Sequence, residues 1–379
     1  MTKLNMSNFV LTDSEAERIR VAQTVANDNP AKYNIALIGK IREFVTNKLA
    51  AGDKDEIEKM VWLSIYYYFA YGCSIEEFFM WDLIHKTHEQ ANNYVTVHKK
   101  KFYRDHFNDP KDAYLLNDKY CAYEMFKDAY KRDVICIQKE EDYPIFDDFV
   151  HKHPSFVVKP RSLMQGHGVF ASSVESLDEA AIRAHFRMLL DKGIEYTQTF
   201  SGYHDSSLVL EELIVQDDSL AKFHPASVNG VRITTIRIGD EVLIYKPWFK
   251  IGRGGQFITS ATYNTYDAGI DAVTGIVYTP GATEDREFAE VHPDTGERIL
   301  GAQIPRWDEA VALTKALAKK LDTLRFVGWD IVLTPNGWCV MEGNFSGAPM
   351  WQLYEDKGDQ DGFEALIGWK LTKDFWWQE

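Results

Sequence analysis

Through the first hundred or so residues, apolar side chains recur at steps of three and four with few proline or glycine interruptions, which is the pattern of amphipathic helices. Ile57, Met60, Val61, Ile65 and Tyr68 share one such face. Gly72 supplies a helix stop, and Ser74 followed by Glu77 forms a capping-box pattern opening the next helix through Phe78, Phe79 and Leu83. The most apolar stretch, Met60 to Cys73, contains a serine and four tyrosines. It falls short of the roughly 18 to 20 apolar residues of a membrane span and reads as a buried helix. The segment Ile35-Ala36-Leu37-Ile38-Gly39 resembles a nucleotide-binding strand but carries one glycine where the dinucleotide fingerprint needs three, so that reading is discarded.

From about residue 115 the pattern changes to short Val- and Ile-rich runs separated by glycine-containing turns. Strands are expected at Phe156 to Lys159, Val169 to Ser172, Leu208 to Ile214, Val231 to Ile238, Val242 to Lys250, Phe326 to Leu333 and Trp338 to Glu342. Two helices interrupt them. One starts at Ser176 with Glu179 as its capping-box partner and stops at Gly193; the other runs from about Asp308 to Leu321. The expected organisation is therefore a helical domain, 1–114, and an α+β domain, 115–379, with no linker rich in Pro, Gly or Ser between them.

Composition narrows the class of protein. The chain has 379 residues, 45% of them hydrophobic, enough to bury a large core. Its formal net charge of -15 would repel a phosphate backbone, so nucleic acid is not an expected partner. Cys73, Cys121, Cys136 and Cys339 form no C-x-x-C pair, and the N-terminus lacks a basic segment followed by an apolar run. A reduced, cytoplasmic protein without membrane insertion is the expectation.

The most informative chemistry lies between Gly328 and Asn344, which reads as a β-hairpin. A three-residue loop of Pro335, Asn336 and Gly337 puts Thr334 opposite Trp338 and Asp330 opposite Glu342. The period of two then collects Trp329, Ile331, Leu333, Cys339 and Met341 on one face and Asp330, Glu342 and Asn344 on the other. Two carboxylates and an amide oxygen are hard ligands suited to Mg²⁺. The alternative is a solvated outer face, although facing carboxylates repel unless something positive lies between them.

Other segments carry weaker signals. In Phe156 to Val169 an apolar strand ends in Lys159 and turns through Gly166-His167-Gly168, where backbone amides could approach a phosphate; an ordinary hairpin with a loose tip is the rival. In Leu208 to Ile214, alternation sends Glu211 and Glu212 to opposite faces, so one of them points toward an interior or a cleft. Arg232, beside the Asn229-Gly230 turn, is the better placed of two arginines for gripping a carboxylate or phosphoryl group. Lys246, Trp248 and Lys250 share a face of the next strand, which a plain solvated face explains equally well. No Cys/His cluster suggests zinc, and no Gly-x-Ser-x-Gly elbow is present.

Taken in order, Asn117-Asp118-Lys119, Val157-Val158-Lys159-Pro160, Leu210-Glu211-Glu212-Leu213-Ile214, Arg232, Asp330 and Glu342-Gly343-Asn344 resemble the ATP-grasp superfamily over roughly residues 115 to 355. Ser227-Val228-Asn229-Gly230-Val231-Arg232, His292-Pro293-Asp294-Thr295-Gly296, Ile304-Pro305-Arg306-Trp307 and Gln352 make the chain look most like the sugar-transfer associated branch, also labelled α-L-glutamate ligase-related. The resemblance implies an α+β ATP-grasp fold, two α+β subdomains gripping ATP, preceded by the helical domain. An N-terminal lobe, 115–215, would carry the phosphate lid and a C-terminal lobe, 216–379, the metal site.

Residue by residue, the resemblance implies that Lys119 and Lys159 hold the ATP phosphates under a lid formed by Gly166, His167 and Gly168. Glu211, Glu212 and Ile214 would line the adenine pocket, with Asp218 at the ribose. Asp330, Glu342 and Asn344 would bind Mg²⁺, as two ions, while Arg232 and then Lys250 steady the transferring phosphoryl group. One departure stands out: where the family pattern has an Asp-Asn pair and a double glycine, this chain has Ile258-Thr259-Ser260 and Ala268-Gly269-Ile270, which bears on the acceptor side. The implied function is an ATP-dependent carboxylate-amine ligase acting through an acyl phosphate, its small-molecule substrates an amino acid or a carboxylated cell-surface sugar precursor. A phosphotransferase to a hydroxyl and a non-catalytic nucleotide-binding module are the rivals, and a homodimer is left open.

Overall fold

The computed structural model describes residues 4–49, 52–163, 166–255, 265–372 and 377. The chain divides into two compact units, residues 1–103 with 349–379, and residues 104–348.

The first unit is helical. The helix Lys54–Tyr71 is capped by the Asp53 side chain and stops at Gly72, whose φ of 70° is left-handed, as the glycine predicts. The Ser74–Glu77 capping box forms as expected and opens the helix Ile75–Met80. Ile35 begins a helix, Ile35–Lys48, rather than a strand. Tyr66, Tyr67, Phe69, Tyr71, Phe78 and Trp81 are buried at its centre. The sequence reading ran the catalytic domain on to residue 379, whereas residues 349–379 join this unit. The reason is a set of long-range polar contacts: Gln352 Oε1 accepts from the Val95 amide (2.6 Å), Lys99 Nζ donates to Gln360 (2.8 Å), and the Tyr103 hydroxyl donates to Glu364 (2.6 Å). Among the described residues, no helix is long and apolar enough to cross a membrane.

The second unit holds two antiparallel sheets. The smaller contains β1 (Val134–Ile137), β2 (Ser155–Pro160), β3 (Phe170–Ser173) and β4 (Leu208–Glu212) in the order β1-β4-β2-β3. One face, with Phe156, Val158, Leu208 and Leu210, packs against Phe146 and Phe149 of the helix Tyr143–Lys152 and Ile182, Phe186 and Leu189 of the helix Glu179–Thr199. The opposite face presents Val157, Lys159, Val209 and Glu211, the pairs Val157–Glu211 and Lys159–Val209 lying directly across from one another. The helix Glu179–Thr199 begins later than expected: Asp178 caps it, and Ser176 has a φ of 63°, which removes it from the cap. Gly193 does not end that helix. A Cβ there would lie 2.1 Å from the Ser206 carbonyl oxygen, so the glycine answers to a close chain approach rather than a stop.

The larger sheet contains β5 (Gly230–Ile238), β6 (Glu241–Ile251), β7 (Tyr266–Gly269), β8 (Gly281–Ala282), β9 (Phe288–Ala289), β10 (Phe326–Thr334) and β11 (Gly337–Asn344). Their order is β11-β10-β5-β6-β7-β8-β9. Its apolar face joins Val231, Ile233, Phe249, Ile251, Tyr266, Ala268, Trp329, Ile331 and Leu333 in a core with Ala310 and Leu317 of the helix Trp307–Lys319. The residues that alternate with these therefore lie together on the other face.

The hairpin differs in detail from expectation. Thr334 pairs with Gly337, so the loop is the two residues Pro335 and Asn336, and Leu333, Val332 and Ile331 pair with Trp338, Cys339 and Val340. A bulge then makes Met341 the extra residue and sets Asp330 opposite Glu342. Trp338 and Val340, not Cys339 and Met341, consequently share the apolar core with Ile331 and Leu333.

Candidate active site

Across the exposed-core boundary of the larger sheet, strand pairing lines up a row of charged side chains. Glu342 of β11 faces Asp330 of β10, Asp330 faces Arg232 of β5, Arg232 faces Trp248 of β6, and Lys250, two residues on, faces Asp267 of β7. Every chain neighbour of Arg232, Asp330 and Asp267, and both of those flanking Lys250 on the core side, is an apolar core residue: Val231 and Ile233, Trp329 and Ile331, Tyr266 and Ala268, Phe249 and Ile251. Alternation forces the polar residue between each pair onto the site face.

Asp330 and Arg232 form a buried fork. The guanidinium grips both carboxylate oxygens, with Nη2 to Oδ2 at 2.6 Å, and the Lys250 ammonium lies 3.6 Å from Oδ2. Burial alone would raise the Asp330 carboxyl, but Arg232 and Lys250 hold it well below the usual carboxylate range. The Arg232 guanidinium also stands 5.6 Å from the centre of the Trp248 ring. Asn344 completes the expected oxygen set, its amide donating to the Gly328 carbonyl (3.3 Å) and to Glu342 Oε1 (3.4 Å).

These groups could hold a divalent cation. A carboxylate oxygen carries two lone-pair directions, so Asp330 retains acceptor capacity beyond its contacts with Arg232. With the Asn344 amide nitrogen turned toward Glu342 and Gly328, its carbonyl oxygen is the atom left for a metal. Two carboxylates and an amide oxygen suit Mg²⁺.

The smaller sheet supplies cations. Lys159 Nζ pairs with Glu211 Oε1 at 2.7 Å, and Arg132, just before β1, donates Nε (2.9 Å) and Nη2 (2.6 Å) to the other oxygen of Glu211. Burial would raise the Glu211 carboxyl, but Arg132 and Lys159 bring it down to about 2. Arg132 also donates to the carbonyl of Val340 and, at 3.4 Å, to that of Met341, so it ties β4 to the bulge that positions Glu342.

Lys119 opens the helix Lys119–Tyr130. Asp118 caps that helix and is itself gripped by Arg161, with Nε 2.9 Å from both carboxylate oxygens. The Lys119 ammonium donates to the carbonyls of Pro160 (3.1 Å) and Leu163. Burial pushes it down to about 8; Glu342 and Glu211 work against that and Lys159 with it, so this ammonium sits within the field of both sheets' acids.

The Gly-rich turn forms after β2. Gly166 and Gly168 have φ values of 74° and 73°, Gly166 accepts from the Val169 amide (3.2 Å), and exposed His167 lies 5.6 Å from the Phe200 ring. Residues 258–260 of the expected departure lie outside the described residues.

Not every expected residue joins the group. Glu212 points to the opposite face of β4 from Glu211, accepting from the Asp133 amide (3.1 Å) with His153 at 3.9 Å. Ile214 is half-buried in the segment beyond β4, and Asp218 is exposed at the start of the short helix Asp218–Ala221.

Conversely, two residues escaped sequence reasoning. Arg132 follows a helix end and carries no motif. Asp267 is 7% exposed and its Oδ1 is buried without a hydrogen-bond partner among the described residues. Burial pushes its carboxyl up to about 7; Lys250 opposes the shift and Glu284 adds to it. An acid inside the otherwise apolar run Tyr266 to Ile270 was the available signal.

The branch-specific segments build the loop beyond β6. Asn229 donates to the Gln216 side chain and to the carbonyls of Leu220 and His224, and accepts from the Gly252 amide (3.0 Å). His292 contacts the Gly252 carbonyl (2.7 Å), and Asp294 accepts from the Gly254 amide (2.6 Å).

The chain can now be set beside known proteins. No curated protein matches it. D-alanyl-alanine synthetase A from Vibrio cholerae aligns at 10% identity with a TM-score of 0.40, covering 66% of this chain and 62% of that one. N5-carboxyaminoimidazole ribonucleotide synthetase from Thermotoga maritima aligns at 13% and 0.37, covering 73% and 56%. L-amino acid ligase from Bacillus licheniformis aligns at 12% and 0.37, covering 62% and 44%. The chain thus spans less than two thirds of the length of each of these proteins. The family model described as sugar-transfer associated ATP-grasp matches residues 98–358, more than half of the chain. With the two antiparallel sheets and the charged row of the larger one in place, the chain belongs to the sugar-transfer associated ATP-grasp family.

Proposed function

We propose that this protein is an ATP-dependent carboxylate-amine ligase. The observation that carries the reading is the row Glu342, Asp330, Arg232, Lys250 on one sheet face, with Lys119 and Lys159 supplied from the smaller sheet and the helix beside it. Transfer of a phosphoryl group to a carboxylate needs neutralisation of several negative charges and no protein nucleophile, and this row offers that.

In this reading Lys119 and Lys159 bind the phosphates, and Asp330, Glu342 and Asn344 hold Mg²⁺, which when bound neutralises phosphate charge and orients the transferring group. Arg232 and Lys250 stabilise the charge that builds on the group in transfer, their positions fixed in advance by Asp330. The substrate carboxylate oxygen bonds to the terminal phosphorus as the bond to ADP breaks. An amine then attacks the acyl carbon, phosphate leaves, and the amine's proton is released. The substrates fall in the class of amino acids and carboxylated sugars, and the ATP requirement suits a cytoplasmic enzyme.

The test is ADP release with Mg²⁺ and ATP over a panel of amino acids and uronic acids with hydroxylamine present. A hydroxamate formed with one carboxylate supports the reading. ADP formed with a hydroxyl compound and no hydroxamate assigns a phosphotransferase instead.

A further inference from the structure

Asp267 sits at the end of the charged row remote from Glu342, opposite Lys250 and one strand beyond it. Its neighbours Tyr266 and Ala268 fill the apolar core, so its carboxylate points to the site face. The residue is 7% exposed, and Oδ1 has no hydrogen-bond partner among the described residues. Lys250, the nearest cation in the strand pairing, acts on it through its field but forms its ion pair with Asp330, 3.6 Å away. A buried carboxylate in that position costs free energy unless it is protonated or a cation arrives from outside the chain.

The charge distribution along the row points the same way. Within the row, Glu342, Asp330 and Asp267 set three acids against Arg232 and Lys250. The two acids that Arg232 does not grip lie at the row's two ends: Glu342 with Asn344 beside Asp330, and Asp267 beyond Lys250. The first end has the oxygen set of a metal site. The second has a buried carboxylate oxygen with an unused hydrogen-bonding direction, which fits an N–H donor carrying positive charge.

We propose that Asp267 is the binding group for the acceptor substrate, and that this acceptor is a primary amine recognised as its ammonium through Asp267 Oδ1. The assignment rests on the ligase reading for its place in a reaction and adds the location and charge of the second substrate. With the amine held here and the phosphoryl-handling pair Arg232 and Lys250 between it and the metal ligands, donor and acceptor occupy opposite ends of one row.

The experiment is an NMR titration of the full chain labelled with carbon-13 at the aspartate carboxyl carbons and nitrogen-15 at the lysine amides, with the Asp267 signal assigned by its loss in Asp267→Asn. The probe is ethylammonium chloride; tetramethylammonium chloride, which keeps the charge and lacks N–H donors, is the control. The expected result is a saturable shift of the Asp267 signal with ethylammonium in the millimolar range, none with the control, and binding about tenfold weaker in Asp267→Asn, read at the Lys250 amide. An Asp267 signal that ignores ethylammonium, or follows both salts equally, overturns the assignment. This titration needs no turnover and so fails separately from the ligase reading. Hydroxamate formation with an unresponsive Asp267 removes the amine site alone, whereas a responsive Asp267 in a protein that yields no hydroxamate removes the ligase reading and keeps the cation site.

Discussion

Asp330 and Glu342 face each other across β10 and β11 because Met341 is the extra residue of a bulge, while the turn itself holds two residues, Pro335 and Asn336. The pair is then treated unequally. Asp330 is gripped through both oxygens by buried Arg232, whereas Glu342 is half-exposed, accepts from the Asn344 amide and has no cation gripping it as Arg232 grips Asp330 among the described residues. Substituting the two carboxylates should therefore have different consequences.

Glu342→Gln should keep the fold, shift the melting temperature by no more than a degree or two, and reduce Mg²⁺-dependent ADP release about a hundredfold or more. Asp330→Asn should lose turnover and stability together, by about 3 to 5 kcal/mol, because it leaves the Arg232 guanidinium buried without its counter-charge. Thermal melts run beside the activity assay check the contrast; equal stability of the two variants would remove the assigned role of the Arg232 fork.

Arg132→Met should cost about 3 to 5 kcal/mol in urea unfolding, since it strips Glu211 of one of two cations and leaves the Val340 and Met341 carbonyls without their donor. It should also weaken the Mg²⁺ dependence of turnover through the bulge that orients Glu342. A variant as stable as the parent would show that the contact is dispensable.

Gly193→Ala should destabilise the protein. In an open helix this substitution gains up to about 1 kcal/mol, but here the added methyl meets the Ser206 carbonyl oxygen at 2.1 Å. A lowered melting temperature is expected, and a raised one would mean that the chain at Ser206 gives way freely.

The Asp267 carboxyl, ordinarily near 3.8, is pushed up to about 7, so folding favours its protonated form. Its contribution is complete below 3.8 and is lost as pH rises through about 7. Above that, the buried charge costs on the order of 4 kcal/mol, the rise from 3.8 to about 7 taken at about 1.4 kcal/mol per unit. Asp267→Asn should therefore gain stability relative to the parent as pH is raised from about 5 to about 8, while the two converge in acid. Parallel melting curves across that range would contradict the shift.

Seven strands were legible because Val, Ile and aromatic residues alternate over runs such as Val231 to Ile238, whereas β1 and the short β7, β8 and β9 were not; the capping box at Ser74 and Glu77 was legible because its bonds are local. The pairing of Asp330 with Glu342 was placed correctly through two compensating errors: a loop one residue too long stood in for the bulge, at the cost of sending Cys339, Val340 and Met341 to the wrong faces. Gly193 was read as punctuation because sequence does not show the Ser206 carbonyl that passes it. Arg132 and the membership of residues 349–379 depend on partners some 80 to 260 positions away, such as Glu211 for Arg132 and Glu364 for Tyr103, which no local pattern encodes. Asp267 was overlooked because an acid in a four-residue strand has too few neighbours to establish a period.

If Lys159 binds phosphate, as the ligase reading has it, its pairing with Glu211 sets an internal competitor against any incoming anion. A nucleotide claiming Lys159 exchanges one anion for another, and because Arg132 stays on Glu211 the displaced carboxylate is not stranded. Glu211 keeps its own charge in the pocket when Lys159 turns to the ligand, so a small anion with nothing but charge to offer gains little by entering. On that reading selectivity rests on whatever the rest of the ligand contacts, and inorganic phosphate and chloride meet the same competition from Glu211.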